Sequence, residues 1–192
     1  VSILAALNSS DTSAQAQQAA QQAIADYLGA KATAAQAPQA LTPAQQALLD
    51  PALNPRLGYN LDAWDGYPAA RETVLGSAQA LGKRLVVLAG DTHNAWHSEL
   101  RRLDRSLAGH EFATPGVSSP GLEEYLASLP PAQVAQIFRG VIDTLKYADT
   151  SRRGFLLMRF TPQQASGTWY LLDTVKARSY TVTAAHTASV AA

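Results

Sequence analysis

The sequence predicts an α/β fold, because helical and strand patterns follow one another along most of the chain. Residues 68–82 carry apolar side chains at helical spacing and end at a glycine. The apolar run at 85–89 follows directly and predicts a strand that is buried on both faces. A helix that leads into such a strand is half of an α/β unit. The 192 residues are enough for one domain with a hydrophobic core.

Residues 1–50 are predicted to form an Ala/Gln-rich helical segment without a chemical role. Alanine and glutamine favour helix, so one helix is expected from Asp11 to Leu28, where a glycine follows. Residues 31–39 read as an exposed connection. Thr42 is the expected cap of a second short helix, with proline at its first position.

Residues 51–181 are predicted to form the main domain, and residues 182–192 a flexible tail of small side chains. The main domain opens with a long structured loop, which contains prolines, glycines and aromatics up to residue 68. The elements expected after the strand at 85–89 are strands at 96–103, 110–114, 154–161 and 167–175, and helices at 122–129 and 131–145.

Charge and composition exclude several classes of partner. Fifteen basic and fifteen acidic residues cancel, which leaves no basic field for nucleic acid or for an anionic membrane. The absence of cysteine excludes disulfides and thiolate metal sites within this chain. No apolar run is long enough to span a bilayer. The start at Val1 lacks the features of a signal peptide, and we expect the chain to be a processed or cleaved product.

A candidate metal site follows the strand at 85–89. Asp91 and His93 stand just after Gly90, and ligands of open α/β sheets bind beyond the carboxyl ends of strands. A carboxylate and an imidazole two residues apart, on a sharp turn that glycine allows, can converge on one cation. The pattern is short, so a simpler alternative is that Asp91 caps a following helix and His93 is incidental.

Two further residues are candidates for catalysis. Arg71 could bind a phosphate oxygen, or it could lock the preceding loop through Asp62 or Asp65. His97 lies close to the turn and could line a substrate pocket, or it could be an ordinary histidine on a strand face. Asn94 could hydrogen-bond a ligand or hold the turn.

The other polar candidates are expected to be structural. His110 stands at the start of a predicted strand, and His186 should be solvated in the predicted tail. Arg152 and Arg153 precede a strand, where we expect salt bridges rather than contact with an anionic substrate.

Four stretches lie in a fixed order between residues 50 and 180: Asp62–Arg71, Gly90–His93, Glu111–Gly121 and Tyr147–Gly154. Together they resemble the C-terminal half of a PhoD-like alkaline phosphatase, a family of the calcineurin-like metallophosphoesterases. The resemblance implies a two-sheet sandwich flanked by helices, with the metal site at the strand ends. It also implies a secreted or periplasmic enzyme.

In the resemblance, Gly90–His93 is similar to the family's version of the Gly-His-x-His metal motif, so Asp91 and His93 would be metal ligands. Similar enzymes use Fe³⁺ with Ca²⁺ to hydrolyse phosphate monoesters and diesters. Carboxylate oxygen suits calcium, and a mixed oxygen and imidazole site suits iron. A phospholipase-D-like or nucleotide phosphodiesterase on the same site is the alternative, as is an inactive binding module that retains the fold.

The family's earlier motifs do not appear before residue 50. They are an aspartate at a strand end, a Gly-Asp pair and an asparagine on later strands. We therefore expect this chain to be the C-terminal part of a longer or two-chain enzyme, inactive alone, whose N-terminal part supplies the remaining metal ligands as an associated partner.

Overall fold

The computed structural model describes residues 13–55, 61–126 and 129–191. The chain forms two compact units, of which the first ends at Pro68 and the second begins at Ala69. This boundary lies later in the chain than the predicted one at residue 50. No helix in the described ranges has the length and apolar character that crossing a membrane requires.

The first unit contains two helices, α1 (Ala14–Gln36) and α2 (Pro43–Leu49). The side chain of Ser13 caps α1 by accepting the N–H of Ala16 at 3.2 Å. α1 passes through Gly29, so the predicted stop there is wrong. Glycine costs a helix only about 1 kcal/mol, and the alanine-rich sequence on both sides outweighs it.

The cap of α2 follows the prediction. Thr42 accepts the N–H of Gln45 at 3.2 Å, and the Gln45 side chain accepts the N–H of Thr42 at 3.0 Å. The loop that follows has a 3₁₀ turn at Trp64–Gly66. Residues 56–60 of the predicted loop lie outside the described residues.

The second unit is built from two sheets and three helices among its described residues. The helices are α3 (Pro68–Ala80, which starts at the boundary), α4 (Leu122–Tyr125) and α5 (Pro131–Val141). The strands are β1 (Leu85–Ala89), β2 (Ala95–Arg101), β3 (Leu107–Ala113), β4 (Leu145–Asp149), β5 (Gly154–Phe160), β6 (Gln164–Leu172) and β7 (Val182–Ala191). One sheet has the order β1-β3-β2-β4 and the other the order β5-β6-β7.

The two faces of β2 show how the sheets are covered. Trp96 packs edge-on against Phe138 of α5, with ring centroids 5.5 Å apart. His97, on the opposite face as predicted, contacts Phe112 of the neighbouring strand β3 and Trp169 of the second sheet. The helix α5 therefore covers one face of the four-stranded sheet, and the second sheet packs against the other.

The core lies between the two sheets. Phe112 of β3 and Trp169 of β6 are fully buried, and their rings stack at 5.6 Å. The indole Nε1 of Trp169 donates to the carbonyl of Ala113 at 2.8 Å, which joins the sheets by a hydrogen bond as well. The expected two-sheet α/β sandwich is confirmed.

The predicted flexible tail is wrong in its described part. Residues 182–191 form β7, which pairs antiparallel with β6 over nearly its whole length. His186 is therefore half-buried rather than solvated, and its ring stacks on that of Tyr147 at 4.0 Å. Small side chains suffice here because the backbone of β6 supplies the hydrogen bonds.

Two other predicted elements differ from the structure. α5 ends at Val141 instead of residue 145, and Leu145–Asp149 forms β4, which pairs with β2. The helix predicted at 122–129 is the short α4, with residues 127 and 128 outside the described ranges.

β1 is not buried on both faces as predicted, and it is also an edge strand. In the described part of the chain it pairs only with β3, in parallel, and Leu88 is 55% exposed. β1 does contain the predicted apolar run. In the described residues, however, its backbone is unpaired on one side, and part of one face is exposed to solvent.

Candidate metal centre at one edge of the four-stranded sheet

Three loops lie at the edge of the four-stranded sheet where β1, β3 and β4 end and β2 begins. β1 and β3 run in parallel, with Ala89 opposite Ala113, so both end there. β2 is antiparallel to β3 and begins at this edge, with Ala95 opposite Asp149 at the end of β4. The loops 90–94, 114–121 and 150–153 therefore lie side by side.

The turn at 90–94 takes its shape from left-handed residues other than glycine. Asp91 has φ 68° and His93 has φ 58°, a conformation that costs a residue with a side chain about 1–3 kcal/mol. Gly90 is not left-handed, and a Cβ there would meet only Thr114 Cγ2, at 3.9 Å. The expectation that glycine permits the turn is therefore wrong. The turn leads into β2, which also excludes the alternative that Asp91 caps a helix.

One hydrogen bond fixes the tautomer of the neutral His93 ring. Nδ1 lies 2.9 Å from the carbonyl oxygen of Pro120. A carbonyl can only accept, so Nδ1 carries the hydrogen, and the neutral ring has its lone pair on Nε2. Histidines that bind metals are typically held this way, through the nitrogen that does not bind.

Asn94 holds the turn. It is 3% exposed, its Nδ2 donates to the carbonyl of Thr92 at 2.5 Å, and its Oδ1 accepts the N–H of Leu122 at 3.2 Å. Both the nitrogen and the oxygen of the amide are therefore hydrogen-bonded within the protein. Of the two roles left open by the sequence, the structure supports the structural one.

Asp91 and His93 fit a metal ion as part of a ligand set. They offer a carboxylate and an imidazole nitrogen, which is the mixed donor chemistry of iron and similar cations. In residues 13–55, 61–126 and 129–191, no three or more His, Asp or Glu side chains are grouped so that they could hold a metal ion. A metal ion bound by Asp91 and His93 would therefore need further ligands.

The structure does not bring Arg71 to this turn. Its Nη1 donates to the carbonyl of Arg101 at 3.0 Å, at the far end of β2. With a rise of about 3.3 Å per residue, that end lies about 20 Å from Ala95. The catalytic role of Arg71 remains an untested prediction, and its contact is with the opposite edge of the sheet.

His97 points between the sheets. It is 7% exposed, it stacks on Phe112 at 4.8 Å, and its Nε2 lies 3.3 Å from Nδ1 of His110. Burial first, and then the charges of His110 and His186, lower the pKa of His97 from 6.5 to about 4. His97 is therefore neutral near pH 7, and its catalytic role also remains an untested prediction.

Two arginines near this edge form the expected salt bridges. Arg152 bonds the carboxylate of Asp149 at 2.8 Å, and the buried Arg153 pairs with Glu123. Glu123 and the carbonyl of Pro120 were not among the sequence candidates. Neither carries a sequence signal, because the contacts that involve them join loops about 30 residues apart.

Comparisons with known proteins identify the family and support the fold. The model of the PhoD-like phosphatase family matches residues 6–169, so the match includes most of the Ala/Gln-rich segment. Alkaline phosphatase D of Bacillus subtilis (strain 168) is 30% identical over 97 residues, in a match that covers 44% of this chain and 17% of that protein.

A solved structure, described as the structure of PhoD, matches with a TM-score of 0.56 and 24% identity. The match covers 68% of this chain and 25% of that one, and it supports the fold. The chain thus spans a quarter or less of the length of these relatives. Since the family model covers more than half of this chain, the chain belongs to the PhoD-like phosphatase family.

Proposed function

We propose that this chain provides part of the metal site of a phosphoesterase, with Asp91 and His93 as ligands. The observation that carries the proposal is the hydrogen bond from His93 Nδ1 to Pro120, which leaves Nε2 available at the edge where the strands end. Membership of the PhoD-like phosphatase family supports phosphate esters as the substrate class.

Fe³⁺ together with Ca²⁺ is the metal content that we propose, because the two ligands offer both an imidazole nitrogen and a carboxylate oxygen. Bound cations would supply Lewis-acid polarisation of the phosphoryl oxygens and activation of water. The residues of this chain orient the site: Pro120 fixes the ring of His93, and Asn94 fixes the turn.

We further propose that the remaining ligands come from the N-terminal part of the same enzyme, present as an associated partner. The support is that no third His, Asp or Glu is grouped with these two among the described residues, while the curated relative is several times longer than its matched part. A secreted or periplasmic location belongs to the same proposal, by analogy with the family.

Replacement of either ligand is expected to remove both metal and activity from the assembled enzyme. Asp91→Ala and His93→Ala should each lower kcat/KM for p-nitrophenyl phosphate by about 100-fold or more, because a metal site contributes several kcal/mol to the transition state. Metal content, measured by mass spectrometry on the same samples, should fall in parallel.

Thr92→Ala is the matched control, since the exposed Thr92 side chain lies between the two ligands and its backbone forms the turn. It should keep both metal and activity. Full metal content in Asp91→Ala and His93→Ala would mean that the ligands are wrongly assigned. A metal-free, inactive wild-type assembly would favour the binding-module alternative, and bis-p-nitrophenyl phosphate would separate diesterase from monoesterase activity.

A further inference from the structure

The turn that carries Asp91 and His93 is fastened to the neighbouring loop by two contacts. His93 Nδ1 donates to the carbonyl of Pro120, and the N–H of Leu122 donates to Asn94 Oδ1. The position of Pro120 therefore decides which nitrogen of the His93 ring carries the hydrogen.

An ion pair holds this loop from its other side. Arg153, which is 9% exposed, pairs with the carboxylate of Glu123, three residues after Pro120. The N–H of Glu123 also donates to the carbonyl of Thr150 at 3.3 Å. The Glu123–Arg153 pair thus ties the loop to the segment that leads from β4 to β5.

Close packing at Gly121 couples the ion pair to the turn. A Cβ on Gly121 would lie 2.7 Å from the carbonyl oxygen of Thr150, 2.9 Å from Glu123 Oε2 and 3.0 Å from Asn94 Oδ1. The three oxygens surround the space that a side chain at Gly121 would occupy, so the carboxylate of Glu123 and the amide of Asn94 both lie close to this glycine. Because Glu123, Gly121 and Pro120 lie in one short, closely packed segment, we expect a shift of Glu123 to displace Gly121 and Pro120 as well.

The neighbouring Arg152 offers a natural comparison. Its side chain is 42% exposed and donates a hydrogen bond to Asp149 at the end of β4. An exposed pair of this kind contributes little to structure, whereas removal of one partner from a buried pair leaves the other charge without compensation. Loss of the buried Arg153 pair should therefore disturb the structure more than loss of the exposed Arg152 pair.

We propose that Glu123 and Arg153 are positioning residues for His93. They hold the Pro120 carbonyl against Nδ1, so that the lone pair of the ring stays on Nε2. The proposal rests on the proposed function only in giving that lone pair a metal to bind; the effect on the ring is a property of this chain alone.

The test measures the tautomer of His93 directly. ¹⁵N shifts of the imidazole nitrogens are recorded by NMR on the metal-free 192-residue chain at about pH 8, where an ordinary histidine is neutral. The wild type and Arg152→Gln should show one tautomer, with the hydrogen on Nδ1. Arg153→Gln should show a mixture of the two tautomers, with the fold verified in the amide spectrum.

Glu123→Gln has almost the same shape as the native residue and is the second variant. If Arg153→Gln does not fold, this variant decides the question by the same measurement. A folded Arg153→Gln or Glu123→Gln chain with the wild-type tautomer overturns the proposal, and so does an equal change in Arg152→Gln.

A second readout separates this proposal from the proposed function. In the assembled enzyme, titrated with Fe³⁺ alone, Arg153→Gln should raise the metal Kd about 10- to 100-fold, as expected for loss of an outer-shell partner. A tautomer change without any metal bound by the wild type would leave the positioning role intact and reject the metal site.

Discussion

Trp169→Ala is expected to lower the free energy of unfolding by about 3–5 kcal/mol. The indole is fully buried, it packs on Phe112 and Tyr147, and it donates to Ala113 across the two sheets. Truncation leaves a cavity at the centre of the sandwich and removes the hydrogen bond between the sheets. Since total stabilities are typically about 5–15 kcal/mol, this is a large part of the whole.

Urea unfolding followed by circular dichroism measures the effect. Trp169→Phe keeps most of the volume and loses the N–H, so its midpoint should lie between the wild type and Trp169→Ala. Trp64→Ala is the matched control, because Trp64 is 53% exposed, and surface substitutions usually change stability by no more than about 0.5 kcal/mol. If Trp64→Ala and Trp169→Ala lowered the free energy of unfolding equally, the inference that the core depends on Trp169 would be contradicted.

Acid is expected to begin destabilising the sandwich near pH 6.5, before the carboxylates titrate. Burial and neighbouring charges lower the pKa of His97 from 6.5 to about 4. Between these two pH values His97 is protonated in the unfolded chain but not in the folded chain. The free energy of unfolding therefore falls as the pH drops from about 6.5 to about 4. Since one pKa unit corresponds to about 1.4 kcal/mol, the full loss from His97 is about 3 kcal/mol.

The groups around His97 add to, or oppose, the effect of burial on the pH dependence of stability. Burial also lowers the pKa of His110 and of His186, so both act in the same direction. Lys146 adds to the shift in the pKa of His97, whereas Glu99 opposes it. Hydrogen bonds from Arg101 and Lys146 outweigh burial and lower the pKa of Glu99 below 4.5, so that carboxylate affects stability only at lower pH.

Urea midpoints between pH 6.5 and 4.5 therefore isolate the histidines. His97→Phe should reduce the fall of the urea midpoint with pH in this window. The aromatic contact with Phe112 is kept, and one titrating group is lost. The same slope for the wild type and His97→Phe would show that the ring is not protected from protons in the folded chain.

Periodicity was enough to predict β1, β2 and the β5–β6 hairpin, because each alternates or forms a short apolar run between turn residues. β4 could not be separated from the helical pattern before it, since only Leu145 and Ala148 of its five residues are buried. β7 was missed because small residues, above all alanine, dominate it. Its β-branched residues, such as Val182, Thr183 and Val190, were the available signal.

The candidate site was predictable where it is local in sequence. Asp91 and His93 are two residues apart after an apolar strand, so their common position follows from the strand end alone. Arg71 was expected nearby through its motif, yet its contact lies at the other end of β2. Pro120, Glu123 and Arg153 meet only through the pairing of β2 with β3 and β4, and a backbone carbonyl leaves no trace in a sequence pattern.

The left-handed conformations of Asp91 and His93 also bear on engineering. Glycine adopts such angles freely, whereas residues with a Cβ lose about 1–2 kcal/mol in them. A laboratory evolution scheme that rewards only heat tolerance would therefore gain by exchanging the proposed ligands for glycine, and would discard the chemistry while it improved the scaffold. A thermostabilised version of this chain should be selected for metal retention as well.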